Sequence, residues 1–477
     1  MSKKKYTEEE IKKIVSGVDS IVSKARKAQA EYELNADQKL YDSTALAVGW
    51  ALMNEDNNRF LSEMAVDQTG LGKVEDKITK NFRKTFGLLR DLKELPTTGI
   101  VRDDEKSGII EILRPVGVVG AVVPSTNPVA TPTNNIINAL KCGNAVVLAP
   151  SPKGAAVCHK LLELIHTNLK RVGVNTNLVQ ALPAPISKVA TARLMEIVDL
   201  LVVTGSQDNV RRAYSSGVPA VGVGAGNVSV IIDESADLKS AAEKITASKT
   251  FDNSTSCSSE NNLIVLDSVF DKFIEELSKV GGYLPEEKDA LAAISKIRVD
   301  GKLNTQLIGQ DIEKVLEVFG WEFPSEKIPK FILLPTENPN EDNPLCDEKM
   351  SLIASLFRAS DFQDATEIAR KIFSIKGAGH SIGLHTNQKN RAVELGLALP
   401  TCRVIVNQAH CFATGGAFNN SLPFSLSMGC GTWGGNSIDE NLNYKHFLNR
   451  TKIVHPIPEQ MPTLDDIFSE YWKEYGA

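Results

Sequence analysis

The chain has 477 residues, 42% hydrophobic and 23% charged, with a net charge of −6. At roughly 150 residues per domain that is enough for about three globular domains, and the composition excludes disordered and fibrous classes. The mild acidity provides no field for gathering nucleic acid or anionic lipid, and no apolar run reaches the roughly 18 residues of a bilayer span.

The N-terminus, Met1-Ser2-Lys3-Lys4-Lys5, runs into a charged helix rather than an apolar signal segment, so a cytoplasmic protein is expected. Thr7-Glu8-Glu9-Glu10 has the capping-box pattern, with Ile11, Ile14, Val15, Val18, Ile21 and Val22 at helical spacing behind it. The first hundred residues read as helices, a second one running from Asp37 to about Met53. Past Leu95-Pro96 the pattern changes to strands at 109–113 and 118–123, separated by Pro115 and Gly117. From there to Asp233, apolar strands at 145–149, 178–182, 198–203 and 228–232 alternate with helices at 130–140, 155–171, 189–196 and 209–215. This alternation implies a parallel, doubly wound sheet, which binds ligands beyond the carboxyl ends of its strands. Residues 238 to about 400 repeat the pattern with longer polar connections. The last stretch is glycine-rich around 415–435, then strand-like at 451–454.

Seven cysteines without a Cys-x-x-Cys pair offer neither a disulfide framework nor a structural zinc site, and no metal is expected. Cys257 sits in Phe251-Asp252-Asn253-Ser254-Thr255-Ser256-Cys257-Ser258-Ser259-Glu260, a polar connection between a helix and the strand at 263–266. A thiol among hydroxyls is either a nucleophile or an ordinary buried thiol; the other six cysteines fit the second reading. Thr204-Gly205-Ser206 follows a strand and opens a helix, where amides hold phosphate or where Gly and Ser serve turn geometry alone. Gly222-Val223-Gly224-Ala225-Gly226-Asn227 lets the backbone approach a neighbour closely, but a strand rather than a helix follows it. Pro124-Ser125-Thr126-Asn127-Pro128 presents an amide at a strand end, as an oxyanion donor or as an Asx-turn. His380 and His385, in a strand, read as structural. His410 suits an anionic substrate end or a backbone-bonded position equally.

In this order the segments resemble the aldehyde dehydrogenase family over nearly the whole chain, and its CoA-acylating branch most closely. The resemblance rests on Arg114-Pro115-Val116-Gly117-Val118-Val119 with residues 124–128, on Ala213-Tyr214-Ser215-Ser216-Gly217 with 222–227, and on 251–260. Cys346-Asp347-Glu348-Lys349-Met350 and Gly429-Cys430-Gly431-Thr432-Trp433-Gly434-Gly435-Asn436-Ser437 complete it. It implies an α/β fold of two doubly wound domains plus a small β flap. The coenzyme-binding domain would be 1–98 and 114–234, the catalytic domain 235–440, and the oligomerisation flap and tail 99–113 and 441–477. It implies Cys257 as nucleophile and Asn127 as oxyanion amide. Pro124, Ser125, Thr126, Ser151, Lys153, Thr204, Gly205, Ser206, Gly224 and Gly226 would surround the dinucleotide, with Glu348 near the nicotinamide-side ribose. The implied partners are an aldehyde, NAD or NADP, coenzyme A, and further copies of the chain in a homodimer or homotetramer.

Hydrolytic members of the family carry a glutamate where this chain has Val223, and no carboxylate occurs between Tyr214 and Ile232. Without that base a thioester persists for a better nucleophile such as the thiolate of CoA. No acidic residue follows 145–149 to claim the adenosine ribose, and Lys153 is near, so NADP stays as open as NAD. Residues 407–416 and 422–425 look most similar to sulfoacetaldehyde enzymes, with succinate-semialdehyde and acetaldehyde enzymes as alternatives. The resemblance then implies that His410, Thr414 and Asn419, with Arg403, hold a sulfonate. A hydrolytic dehydrogenase, and a cofactor-free cysteine acyltransferase using His380, His385 or His410, are the competing readings; no spacing supports a triad.

Overall fold

The computed structural model describes residues 6–477, so the expectation read from residues 1–5 lies outside the described residues. Helices Glu8–Asn35, Gln38–Met53, Glu55–Thr69 and Val74–Leu92 open the described chain. The expected capping box is present: the Thr7 hydroxyl accepts the Glu10 N–H at 3.2 Å, and the Glu10 carboxylate accepts the Thr7 N–H at 2.8 Å. Asp37 caps the second helix, which packs on helices Ala130–Lys141 and Ala155–Arg171.

Behind these lies a five-stranded parallel sheet in the spatial order Val179–Ala181, Ala145–Pro150, Val118–Val123, Leu200–Val203, Ala220–Gly222. All 6 residues of Val118–Val123 are buried, which is why its sequence is continuously apolar rather than alternating. The winding reverses at this strand, and a ligand crevice is expected where its carboxyl end meets that of Leu200–Val203.

A seven-stranded parallel sheet follows, in the order Gly282–Tyr283, Phe331–Pro335, Ile353–Ala359, Glu260–Leu266, Val228–Ile232, Ile382–His385, Val404–Val406. Here the structure departs from the sequence pattern. Val228–Ile232, which periodicity groups with the strands before it, pairs with Glu260–Leu266 and Ile382–His385. The boundary between sheets therefore falls within 222–228, not after 234. The strand that ends the first sheet, Ala220–Gly222, has 3 residues between a proline and a glycine loop and leaves little periodicity to read. The glycine loop thus runs from the carboxyl edge of one sheet to the amino edge of the other.

Gly99–Asp104, Ile109–Pro115 and Leu448–Val454 form a separate three-stranded antiparallel sheet. A terminal helix, Leu464–Tyr475, buries none of its residues. No helix among the described residues is long and apolar enough to cross a membrane, and no cluster of three or more His, Cys, Asp or Glu among them would hold a metal ion.

Candidate active site

A cleft of about 610 Å³ opens between the carboxyl edge of the first sheet and the amino edge of the second. The first sheet contributes Pro124, Ser125, Thr126 and Asn127 from the end of one strand, Ser151 from the next, and Thr204, Gly205 and Ser206 from a third. Ser206 caps helix Gln207–Tyr214, its hydroxyl accepting the Asn209 N–H at 3.4 Å, so the amides of this turn face the cleft as a phosphate-holding N-terminus does. The connecting loop adds Gly224 and Gly226, and the second sheet adds Cys257 and Glu348. Of the residues expected around a dinucleotide, Lys153 alone is not part of this wall; it is exposed at the surface. Lys188 and Arg212, which sequence reading passed over, line the cleft as its basic groups on the first-sheet side.

Cys257 is placed by an unusual backbone. Asp252, Asn253 and Ser254 all have left-handed φ values, 50°, 50° and 61°. That conformation costs non-glycine residues about 1–2 kcal/mol each, least for Asn and Asp. Tertiary hydrogen bonds hold it: the Asp252 N–H donates to Asp76 Oδ2 at 2.8 Å, Asp252 Oδ1 accepts the Lys73 N–H at 2.9 Å, and Asn253 Nδ2 donates to Asp311 Oδ1 at 2.9 Å. The glycine loop presses against the same segment, since a Cβ on Gly226 would lie 2.0 Å from the Cys257 carbonyl oxygen. Burial, reinforced by the Glu348 carboxylate, pushes the Cys257 thiol up to about 12. Burial likewise raises the Glu348 carboxyl to about 7, against the pull of Lys376. Glu348 is the one carboxylate in the cleft lining, and Val223 contributes an apolar surface there.

The orientation of Asn127 comes from a residue the sequence reading did not single out. Lys80 Nζ donates to Asn127 Oδ1 at 2.9 Å, which leaves the amide nitrogen to face the cleft as a donor. Lys80 also donates to Asp252 Oδ2 at 2.5 Å, an oxygen that accepts from Lys77 Nζ at 3.1 Å and from the Thr255 hydroxyl at 2.7 Å. Burial alone would raise the Asp252 carboxyl; the two lysines overcome it and hold the group below its usual range. Burial pulls the Lys77 ammonium down to about 8. The available signal was the spacing of Lys77 and Lys80 on one helix face, opposite an acidic residue within the cysteine segment.

The residues expected to grip a sulfonate are not brought together. His410 is buried behind the cleft: its Nδ1–H donates to the Ser258 carbonyl at 2.9 Å and its backbone N–H donates to Glu260 Oε1 at 3.1 Å. It braces the segment carrying Cys257. Thr414, one helical turn on, is buried with it and donates to the His410 carbonyl at 2.8 Å. Arg403 is buried with its donors taken by Asn441 Oδ1 at 3.0 Å and by the His380 and Gly429 carbonyls at 2.9 Å each. Asn419 is exposed, away from the cleft. The short helix His410–Ala413 turns its first residue inward and presents Cys411 to the cleft instead. His380, His385 and His410 are all buried, pulled down to about 3, 4 and 4 by that burial, and none lines the cleft.

Beyond Cys257 the cleft leads into a smaller pocket of about 30 Å³, and Lys84, Asn127, Ser256, Cys411 and Leu426 line both. Lys80, Arg83, Phe251, Phe412 and Phe424 close it. Lys84 Nζ donates to the Gly415 carbonyl at 2.6 Å, and Arg83 lies 5.1 Å from the Phe412 ring centre.

Residues 4–420 match the aldehyde dehydrogenase family. A sulfoacetaldehyde dehydrogenase (acylating) of Cupriavidus necator is 51% identical over 461 residues, spanning 96% of this chain and 93% of the relative. The crystal structure of an acetylating aldehyde dehydrogenase from Geobacillus thermoglucosidasius superposes with a TM-score of 0.90 at 32% identity, covering 95% of this chain and 99% of that one. That of Rhodopseudomonas palustris propionaldehyde dehydrogenase with bound propionyl-CoA gives 0.81 at 26% identity, covering 92% and 94%.

Proposed function

Because the chain belongs to the aldehyde dehydrogenase family, we propose that it oxidises sulfoacetaldehyde to sulfoacetyl-CoA, with NAD(P)+ as hydride acceptor and coenzyme A as acyl acceptor. Cys257, its thiol proton released to solvent, attacks the aldehyde carbon as the thiolate, and the carbonyl oxygen takes the negative charge. The Asn127 amide, held donor-forward by Lys80, and the Cys257 N–H donate to that oxygen. As the C=O bond re-forms, the hydrogen on carbon departs with its electron pair, leaving a thioester on Cys257. A nicotinamide dinucleotide along the lined cleft supplies the hydride acceptor; the helix-start turn at Thr204–Ser206 suits its pyrophosphate and Glu348 its ribose. The thiolate of CoA then attacks the thioester and expels the Cys257 thiolate.

The observation that carries the acyl transfer to CoA is Val223, an apolar side chain lining the cleft where a water-activating carboxylate would stand. The similarity to the Cupriavidus enzyme supports sulfoacetaldehyde as the aldehyde. NADP is accepted alongside NAD in this reading, since Lys188 and Arg212 in the lining suit a ribose phosphate better than a bare hydroxyl. Assembly into a homodimer or homotetramer through the three-stranded sheet is supported by its exposed Ile453 and Val454. The test is reduced-cofactor formation from sulfoacetaldehyde, succinate semialdehyde and acetaldehyde, with and without CoA, on NAD+ and NADP+. Turnover is expected to require CoA and to favour sulfoacetaldehyde. CoA-independent release of the free acid at a comparable rate would overturn the acylating mechanism, and equal efficiency on acetaldehyde would overturn the substrate.

A further inference from the structure

We propose that Arg83 and Lys84, at the inner end of the cleft, form the sulfonate-binding pocket and set the preference for an anionic aldehyde, the part that His410, Thr414, Asn419 and Arg403 are not placed to play. The proposal rests on the reaction proposed above and names the residues that read its substrate.

Helix Val74–Leu92 places Lys80, Arg83 and Lys84 at positions i, i+3 and i+4, on one face, and that face lines the inner pocket. With Lys77 the helix brings four cations toward the site. Asp252 neutralises two of them, Lys77 and Lys80. Arg83 and Lys84 have no carboxylate partner among the described residues. Lys84 rests on the carbonyls of Gly415 and Gly416, at 2.6 and 3.5 Å, and the Arg83 guanidinium lies over the rings of Phe412 and Phe418, at 5.1 and 5.9 Å.

Arg83 and Lys84 are both half-buried; cations partly withdrawn from water and left without a counter-ion are costly, and an arriving anion relieves that cost. The strain is already visible at Lys84, whose ammonium burial pulls down to about 7, with Arg83 and Lys80 adding to the effect. A sulfonate carries a permanent charge and three acceptor oxygens, which suits a guanidinium fork beside an ammonium. In sulfoacetaldehyde the sulfur lies two bonds from the aldehyde carbon. With the carbonyl oxygen at Asn127, the charged end falls into the pocket that Asn127, Arg83 and Lys84 line together. At about 30 Å³ that pocket suits a compact headgroup rather than an extended acyl chain.

The decisive comparison is sulfoacetaldehyde against 3,3-dimethylbutanal, in which a neutral tert-butyl group replaces the sulfonate at the same distance. In Arg83→Met and in Lys84→Met, the ratio of kcat/KM for the two aldehydes is expected to fall roughly 10²-fold, as charge-assisted hydrogen bonds are lost. Arg83→Lys, which keeps the charge, should retain at least about a tenth of the ratio. A parallel loss on both aldehydes, with the ratio unchanged, would overturn the assignment. A second measurement does not depend on turnover: isethionate should slow alkylation of Cys257 by iodoacetamide in the unmodified enzyme and fail to do so in Arg83→Met. Protection without turnover of sulfoacetaldehyde would overturn the proposed reaction and uphold the pocket. Turnover without protection would overturn the pocket and leave the reaction standing.

Discussion

Asn127 stabilises developing charge only if its nitrogen, not its oxygen, faces the reacting carbon, and Lys80 makes that choice by occupying the oxygen. Asn127→Ala should lower kcat by roughly 10²-fold or more with a smaller change in KM, since one preorganised oxyanion donor is worth about 3 kcal/mol. Lys80→Met should lower kcat in the same direction and also destabilise the fold, because Asp252 keeps Lys77 as its only cation; steady-state kinetics and denaturant unfolding read the two effects separately. Cys257→Ala should abolish aldehyde oxidation while a thermal shift with NAD+ persists, because the wall expected to hold the dinucleotide is built largely by other strands. Cys257 and Asn127 were legible in the sequence because each sits in a short segment whose local chemistry is distinctive. Lys80 was not, because its partner Asp252 lies 172 positions away and only the fold brings them together. Nor were Arg83 and Lys84, because the groups they meet, Phe412 and the Gly415 carbonyl, lie more than 300 positions on.

The strands and helices of the two parallel sheets follow closely from periodicity, because a strand covered on both faces must be apolar along its length. Which sheet a strand joins is a tertiary matter, and Val228–Ile232 illustrates it: its composition is that of its predecessors, while its hydrogen bonds go to Glu260–Leu266. His410 illustrates the limit for sites. A four-residue helix has no periodicity from which to learn which side faces the substrate. The glycine loop between the sheets packs directly against Cys257. Gly226→Ala tests this, because its Cβ would meet the Cys257 carbonyl at 2.0 Å. The expected result is a loss of kcat of at least about 10²-fold, as even a 1 Å misplacement can cost, with circular dichroism unchanged. An active Gly226→Ala enzyme would mean that the cysteine segment moves freely against the loop.

Across the whole molecule, buried titratable groups set how stability responds to acid. His380, His385 and His410 titrate near 3, 4 and 4 in the folded protein, below the ordinary 6.5 or so of the unfolded chain. Their contribution is complete above about pH 6.5 and is lost as pH falls toward their folded values, because the unfolded chain binds the protons first. Glu260 and Glu348, raised to about 7, act in the opposite sense between about 4.3 and 7, where the folded state holds the extra protons. Between about pH 4.3 and 6.5 the two sets act against each other, so the slope there is smaller than the three imidazoles alone would give. Below that the glutamates are protonated in both states and the opposition ends, while Asp252, held below its usual range in the fold, adds a loss of its own because the unfolded chain takes up that proton first. Unfolding free energy measured against pH should therefore fall gently to about 4.5 and steeply below it; a uniform slope would contradict the buried, neutral state of the three imidazoles. The same withdrawal from water governs the thiols. Burial raises all seven cysteines, Cys257 included, above their ordinary value. It is the thiolate that attacks peroxide and disulfides, so the resting protein offers oxidants no ready target. Vulnerability then arrives with the positively charged nicotinamide ring, which favours ionisation of Cys257 beside it. Inactivation by hydrogen peroxide should be slow in the enzyme alone and faster with NAD+ bound, so that oxidative damage tracks use rather than age.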